Sequence, residues 1–161
     1  MDIIISFLAD GLVFVLAAVT AVVAVWCVPN RHKFAVYSRM LVAGLTAYLV
    51  AKIMSVIYQP TQLRPFELMN VDPGASYLNN PGFPSDHALF VWVMVWAVWY
   101  MTKHWWLTVV CVVIALAVCV GRVLALVHAP IDVVGGTLAA AMGALWYFTN
   151  DTCKKDKSSV K

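Results

Sequence analysis

The feature that most constrains this chain is a series of long apolar stretches. Residues 3–28 form one, interrupted by polar side chains only at Ser6, Asp10 and Thr20. Others follow at 34–58, 86–101, 106–127 and 131–148. A helix needs roughly 20 apolar residues to cross the hydrocarbon of a bilayer. Hydrophobic residues make up 63% of the 161 positions and charged ones only 12%, far more apolar surface than a soluble domain of this length can bury. The expected fold is an all-α integral membrane protein, a bundle of about five transmembrane helices forming a single domain over 1–161. The stretch at 86–101 is the shortest of the five. No repeat or low-complexity tract is visible. The first stretch has Asp2, no basic region before it, and more length than a signal peptide's core, so it is expected to remain as a span.

Most basic residues fall between these stretches and give the orientation. Arg31, Lys33 and Arg39 lie near the first junction, Lys103 at the third, and Lys154, Lys155, Lys157 and Lys161 after the fifth stretch. With five spans these places share one side, which the positive-inside bias makes cytoplasmic. The expectation is N-out and C-in, multi-pass in the cell (inner) membrane. The connector 59–85 is then an outer loop and 150–161 a basic cytoplasmic tail. A net charge of +3 then reflects topology and lipid headgroups, not nucleic acid. Cys27, Cys111, Cys119 and Cys153 lack metal-site spacing and lie away from the outer loop, so buried thiols are expected.

Three cations break this pattern: Lys52, Arg64 and Arg122 lie in or beside apolar stretches. A Lys or Arg near the centre of a span costs about 2.5–3.5 kcal/mol, so such residues usually pair or line a functional site. Lys52 could also snorkel to the outer headgroups, and Arg122 could pair with Asp132. The topology brings all three cations to the outer face with Pro84-Ser85-Asp86-His87 and with His128 and Asp132. Three cations facing few carboxylates point to an anionic ligand.

Pro84, Ser85 and Asp86 are natural helix-start residues, with Ser85 or Asp86 as N-cap. The free N–H groups of a helix's first turn also suit an anion. Pro130 prevents a regular helix through His128 and Asp132. A tight turn would place Asp132 in the next helix's first turn. Its carboxylate could then fix one imidazole nitrogen and leave the other to attack. Trp92, Trp96 and Trp99 share one helix face, suited to packing or lipid contact. Gly135, Gly136 and Gly143 suit close helix contact. The outer connector, about 25 residues long, is long enough for a functional lid, and Glu67 within it could pair with Arg64.

Lys52 with Arg64-Pro65, Pro84-Ser85-Asp86-His87, and Arg122-x5-His128-x3-Asp132 resemble, in order, the three signature motifs of the type 2 phosphatidic acid phosphatase superfamily. The short chain, Arg-Pro-Phe and Phe-Pro-Ser-Asp-His look most like bacterial undecaprenyl diphosphate phosphatases. The resemblance implies metal-free, two-step phosphoryl transfer needing no cofactor. It makes His128 the nucleophile that forms a phosphohistidine, Asp132 its orienting partner, and His87 the general acid and then base. It also makes Lys52, Arg64, Arg122, Ser85 and the backbone near Asp86 the phosphate-binding set.

Three positions depart from the family pattern. The slot for the first motif's Arg-Pro holds Gln59-Pro60, with Arg64-Pro65 five residues on, so either the loop returns Arg64 or Gln59 takes the slot. Asp86 stands where Gly usually precedes the second-motif His, and could cap the helix or tune selectivity. Gly121 replaces the Ser that usually precedes Arg122.

The expected function is an integral-membrane lipid phosphatase acting on a lipid mono- or diphosphate at the outer leaflet, with undecaprenyl diphosphate the preferred substrate. Phosphatidylglycerophosphate, phosphatidic acid and lipid A phosphate are the alternatives. A non-catalytic anion-binding or lipid-transport protein is the rival from another class, and a vanadate-bearing oxidase a third. The expected partners are the phosphorylated lipid and membrane lipids.

Overall fold

A computed structural model describes residues 3–59, 63–78 and 82–149. The basic tail, with Cys153, lies outside the described residues. The described residues are mainly helical, with no strand among them. The first apolar stretch is one helical run, Ile3–Trp26, made of α1 (Ile3–Ser6), a π-helical turn (Phe7–Gly11) and α2 (Leu12–Trp26). A 3-10 turn at Asn30–His32 leads into α3 (Lys33–Ile57). The connector carries the short α4 (Pro65–Met69), and α5 (Asp86–Thr102), α6 (Trp105–Leu124) and α7 (Pro130–Ala144) follow.

Among the described residues, three helical runs are long and apolar enough to cross a membrane: Ile3–Trp26, Asn30–Ile57 and Trp105–Leu124. At 17 and 15 residues, α5 and α7 are shorter. The packing explains why α5 tolerates this. It sits at the centre and contacts α2, α3, α6 and α7. Val91, Val98, Cys111, Ala115 and Val118 are fully buried in the cluster around it. The periphery is the reverse of a soluble protein: Phe14, Trp26, Phe34 and Val56 are all more than three-quarters exposed. Apolar surface on that scale needs a lipid or protein neighbour.

Small residues let the other helices close in. Ala43, Ala47 and Ala51 of α3 are buried, as are Ala139, Ala140 and Ala144 of α7. A Cβ at Gly136 would stand 2.4 Å from the Ser85 carbonyl oxygen, and one at Gly143 would stand 2.3 Å from that of Ala43. The glycine reading therefore matches the packing.

Several helix ends differ from the apolar stretches. The expected 106–127 helix stops at Leu124, because Leu126 takes a left-handed conformation (φ 58°) that ends it. The expected 131–148 helix starts at Pro130, ends at Ala144 and tightens to a 3-10 turn over Leu145–Tyr147. Cys111 and Cys119 are buried thiols as expected, but Cys27 is exposed just past α2. Trp96 and Trp99 pack edge to face, and both rings lie against Phe148.

Candidate active site

Arg122 lies in the last turn of α6, and the left-handed turn at Leu126 then folds the chain back toward α7. Pro130 opens α7 at a position where a missing N–H is no loss. Asp132 in its first turn accepts a hydrogen bond from the Ala129 N–H at 2.8 Å. The same oxygen, Oδ2, lies 3.3 Å from His128 Nδ1. His128 and Asp132 are both buried. This is the expected turn: the carboxylate engages Nδ1 and leaves Nε2 as the other ring nitrogen. Burial lowers the pKa of His128 below its ordinary value, and the Arg122 and Arg64 charges add to this, while the hydrogen bond to Asp132 opposes it. The balance favours the neutral imidazole.

The second motif opens α5. Ser85 is fully buried, and its hydroxyl accepts a bond from the Ala88 N–H at 3.5 Å, so Ser85 is the cap and Asp86 is not. The Ser85 N–H donates to the Asp132 carbonyl at 2.8 Å, which joins the second motif to the third through the backbone. Asp86 and His87 fall in the first turn of α5 and both line the central cavity.

The first motif is divided. Arg64 is buried, and its guanidinium donates to the carbonyls of Val127 and of Leu78, the latter at 2.9 Å. Its Cζ sits 5.5 Å from the centre of the Tyr77 ring. Burial lowers its pKa, opposed by Asp132, Glu67, Tyr77 and Asp86 in that order. Glu67 accepts from the Arg64 backbone N–H at 2.6 Å, so the expected contact exists through the main chain. Gln59 turns instead to the carbonyls of Ser55 and Phe83, at 2.6 and 3.3 Å. The loop thus returns Arg64 to the cavity and leaves Gln59 outside it. Lys52 does not join Arg64 and Arg122. It is exposed, with Nζ 5.0 Å from the Tyr48 ring centre, and lines an adjoining groove.

The central cavity, about 280 Å³, is lined by Arg64, Ser76, Tyr77, Leu78, Asp86, His87, Arg122 and His128. The groove beside it, about 440 Å³, is lined by Val13, Tyr48, Lys52, Leu78, Asp86, His87, Leu89 and Phe90. Asp86, His87 and Leu78 belong to both. The described part of the connector, residues 63–78, packs beside the cavity and lines it with Arg64, Ser76, Tyr77 and Leu78. Phe66 packs with Ala9, Ala125 and Val127, and its N–H bonds the Leu126 carbonyl at 3.0 Å. Ser76, Tyr77 and Leu78 carry no catalytic signature in the sequence and reach the cavity through this path.

The sequence reading also missed Asp10. Its Oδ1 stands 2.6 Å from Arg122 Nη1 and 3.5 Å from His87 Nε2. Its Oδ2 accepts from the Ser76 N–H at 2.9 Å. A lone carboxylate in an apolar run was the available signal. Chemically, the cavity offers one imidazole held by a carboxylate, a second imidazole, and two guanidinium groups. That set can bind a phosphoryl group, attack it and protonate its leaving oxygen. Among the described residues, no group of three or more His, Cys, Asp or Glu is placed to hold a metal ion.

A family profile described as the PAP2 superfamily matches residues 36–153. The Bacitracin transport permease protein BcrC of Bacillus licheniformis is 28% identical over 147 residues, which cover 90% of this chain and 69% of that protein. No solved structure matches significantly. The chain belongs to the PAP2 superfamily.

Proposed function

With PAP2 superfamily membership as premise, we propose that this protein is a multi-pass lipid phosphatase that removes the terminal phosphate of a lipid diphosphate through a phosphohistidine. The carrying observation is His128, buried and held at Nδ1 by Asp132, in a cavity shared with His87 and two guanidinium groups.

The phosphate sits between Arg64 and Arg122. Nε2 of His128 attacks phosphorus, and the bond from phosphorus to the lipid-side oxygen breaks. His87 gives that oxygen its proton. Water then enters, yields a proton to His87 and attacks phosphorus, the P–N bond breaks, and inorganic phosphate leaves. Asp132 stabilises the imidazolium that forms. Phosphoryl transfer depends mainly on positioning and charge stabilisation, and the two arginines supply the charge that a metal would otherwise carry.

The groove supports a lipid-borne substrate. It meets the cavity at His87 and Asp86 and continues along Val13, Leu89 and Phe90. Lys52 in its wall suits a second phosphoryl group beside the leaving oxygen, which favours a diphosphate over a monophosphate. Undecaprenyl diphosphate is the preferred candidate over phosphatidylglycerophosphate, phosphatidic acid and lipid A phosphate. The topology we propose has five spans in one domain, N-out and C-in in the inner membrane, with the site outside. Arg64, Asp86, His87, Arg122 and His128 share one cavity, and Arg39 and Lys103 both lie against Tyr100, as this topology requires.

The name of the Bacillus relative favours a second reading, a transport protein using the same pocket without chemistry. Purified protein offered each of these four lipids decides between them. The phosphatase reading expects phosphate release, highest from the diphosphate, and acid-labile phosphate trapped on the wild type but not on His128→Ala. Equal inactivity of both proteins on every lipid would refute it. A strict need for added Mg2+ after metal stripping would refute the metal-free mechanism.

A further inference from the structure

Asp10 is the one charged residue between positions 3 and 26, and it lies outside the segment matched by the family profile. A carboxylate in a span is costly and usually functional. Two local features bring it to the site. The π-helical turn Phe7–Gly11 breaks the α-helical register around it, a form common at functional positions. Opposite that turn stands Gly121, where a Cβ would lie 2.7 Å from the Ala9 nitrogen and 2.9 Å from the Leu8 carbonyl carbon. Any larger residue would push the turn off α6. The absence of a side chain at Gly121 is therefore what lets the turn carrying Asp10 seat against α6.

Asp10 touches Arg122 and His87 without lining the cavity itself. Arg122 is 1% exposed, and its Nε has no hydrogen-bond partner among the described atoms. One guanidinium nitrogen is thus held by Asp10, and the same side chain lines the cavity. The Ser76 N–H on Oδ2 ties the connector to the same carboxylate.

We propose that Asp10 is a positioning residue for phosphoryl transfer: its carboxylate fixes the Arg122 guanidinium and the His87 imidazole relative to one another, so that both meet the phosphoryl group in the transition state. The inference rests on the phosphatase reading. A plain structural ion pair is the competing account, and the two differ in what they do to the transition state.

The test compares wild type, Asp10→Asn, Asp10→Glu, Gly121→Ala and the Asp10→Asn/Gly121→Ala double variant of the full chain in detergent. It reads kcat and KM on the lipid that wild type hydrolyses, inhibition by vanadate and by inorganic phosphate, and the thermal midpoint. A small misplacement of catalytic groups can cost about 100-fold. We expect Asp10→Asn to lose about 10- to 100-fold in kcat with KM changed by less than about 3-fold. Vanadate, which resembles the transition state, should lose more affinity than phosphate. Asp10→Glu should recover part of the loss, and Gly121→Ala should add little to Asp10→Asn. Wild-type kcat in Asp10→Asn overturns the proposal. So do equal losses of vanadate and phosphate affinity with a lowered thermal midpoint, and so do fully additive losses in the double variant. A wild type that hydrolyses none of the lipids overturns the phosphatase reading, and the positioning role with it.

Discussion

At the site end of the bundle, Arg122 and Arg64 are 1% and 5% exposed and meet a carboxylate or carbonyl oxygens. At the other end, Lys103 is exposed, with Nζ 3.5 Å from the Trp99 ring centre, and the Arg39 guanidinium lies 5.8 Å from that of Tyr100. Among the described residues every Asp and Glu, at positions 10, 67, 72, 86 and 132, belongs to the site end. The same residue types therefore do different work. A buried cation needs fixed acceptors, and fixed acceptors make it a rigid donor. An exposed cation over a ring, such as Lys103, is held by a weaker ring-face contact. If the comparison holds, substitutions at the two ends will fall into separate classes of effect.

The sharpest division is expected from His128→Ala. On the proposed mechanism it removes the nucleophile, and loss of such a residue in a catalytic unit costs at least about 1,000-fold in kcat. Phosphate release measured beside a stability scan checks this. A variant within about 10-fold of wild type would remove the site end's special status.

Arg122→Ala comes next. It removes a donor to the phosphoryl group, worth about 100- to 1,000-fold in kcat. It also leaves Asp10 without its counter-ion, and breaking a buried pair costs about 3–5 kcal/mol, less here because Asp10 is 25% exposed. Arg122→Lys should restore stability better than activity, because an ammonium lacks the planar fork that holds Asp10 and a phosphate oxygen in fixed relative positions. Full activity in Arg122→Lys would show that charge alone suffices.

The pH profile is a subtler probe. Burial and the nearby arginines lower the pKa of His128. The acid limb of kcat/KM, which reports the free enzyme, should therefore lie below the ordinary histidine value of about 6.5. Protonation on falling pH removes the nucleophile, so activity drops on the acid side. Asp132 raises this pKa through its hydrogen bond and its charge. Asp132→Asn should consequently move the limb to lower pH while lowering the maximum rate. A limb above 6.5 in the wild type, or a shift upward in Asp132→Asn, would contradict the arrangement.

Much of the site end was legible because its residues are costly in an apolar sequence. Arg122, His128 and Asp132 announce themselves by chemistry and spacing, and the tight turn follows from Pro130. What spacing does not carry is the path of a connector. Arg64 reaches the cavity and Gln59 does not because carbonyls of residues 78 and 127 receive the guanidinium. Those contacts join positions far apart in the chain. Lys52 illustrates the converse: its depth in α3 is readable, but which of two neighbouring hollows it faces depends on helix rotation. Asp10 was visible as a polar interruption, yet its partner lies 112 positions away. Only a helix contact made possible by Gly121 joins them. Helix ends set by a left-handed Leu126 could not be read either, since leucine has no preference for that conformation.

The smallest effect is expected at the opposite end, from Lys103→Ala. Its side chain lies over Trp99, and a ring-face contact of an exposed cation is worth about 0.5–1 kcal/mol. Lys103 also ends α5 in a left-handed conformation (φ 54°), which alanine adopts reluctantly. A modest drop in thermal midpoint is therefore expected, with kcat and KM unchanged. Lys103→Gly separates the two contributions. It loses the same ring contact but relieves the backbone, so it should be more stable than Lys103→Ala at the same activity. If either variant instead lowers kcat as far as Arg122→Ala does, exposed and buried cations are energetically coupled along α5. The two ends would then have to be treated as one electrostatic unit.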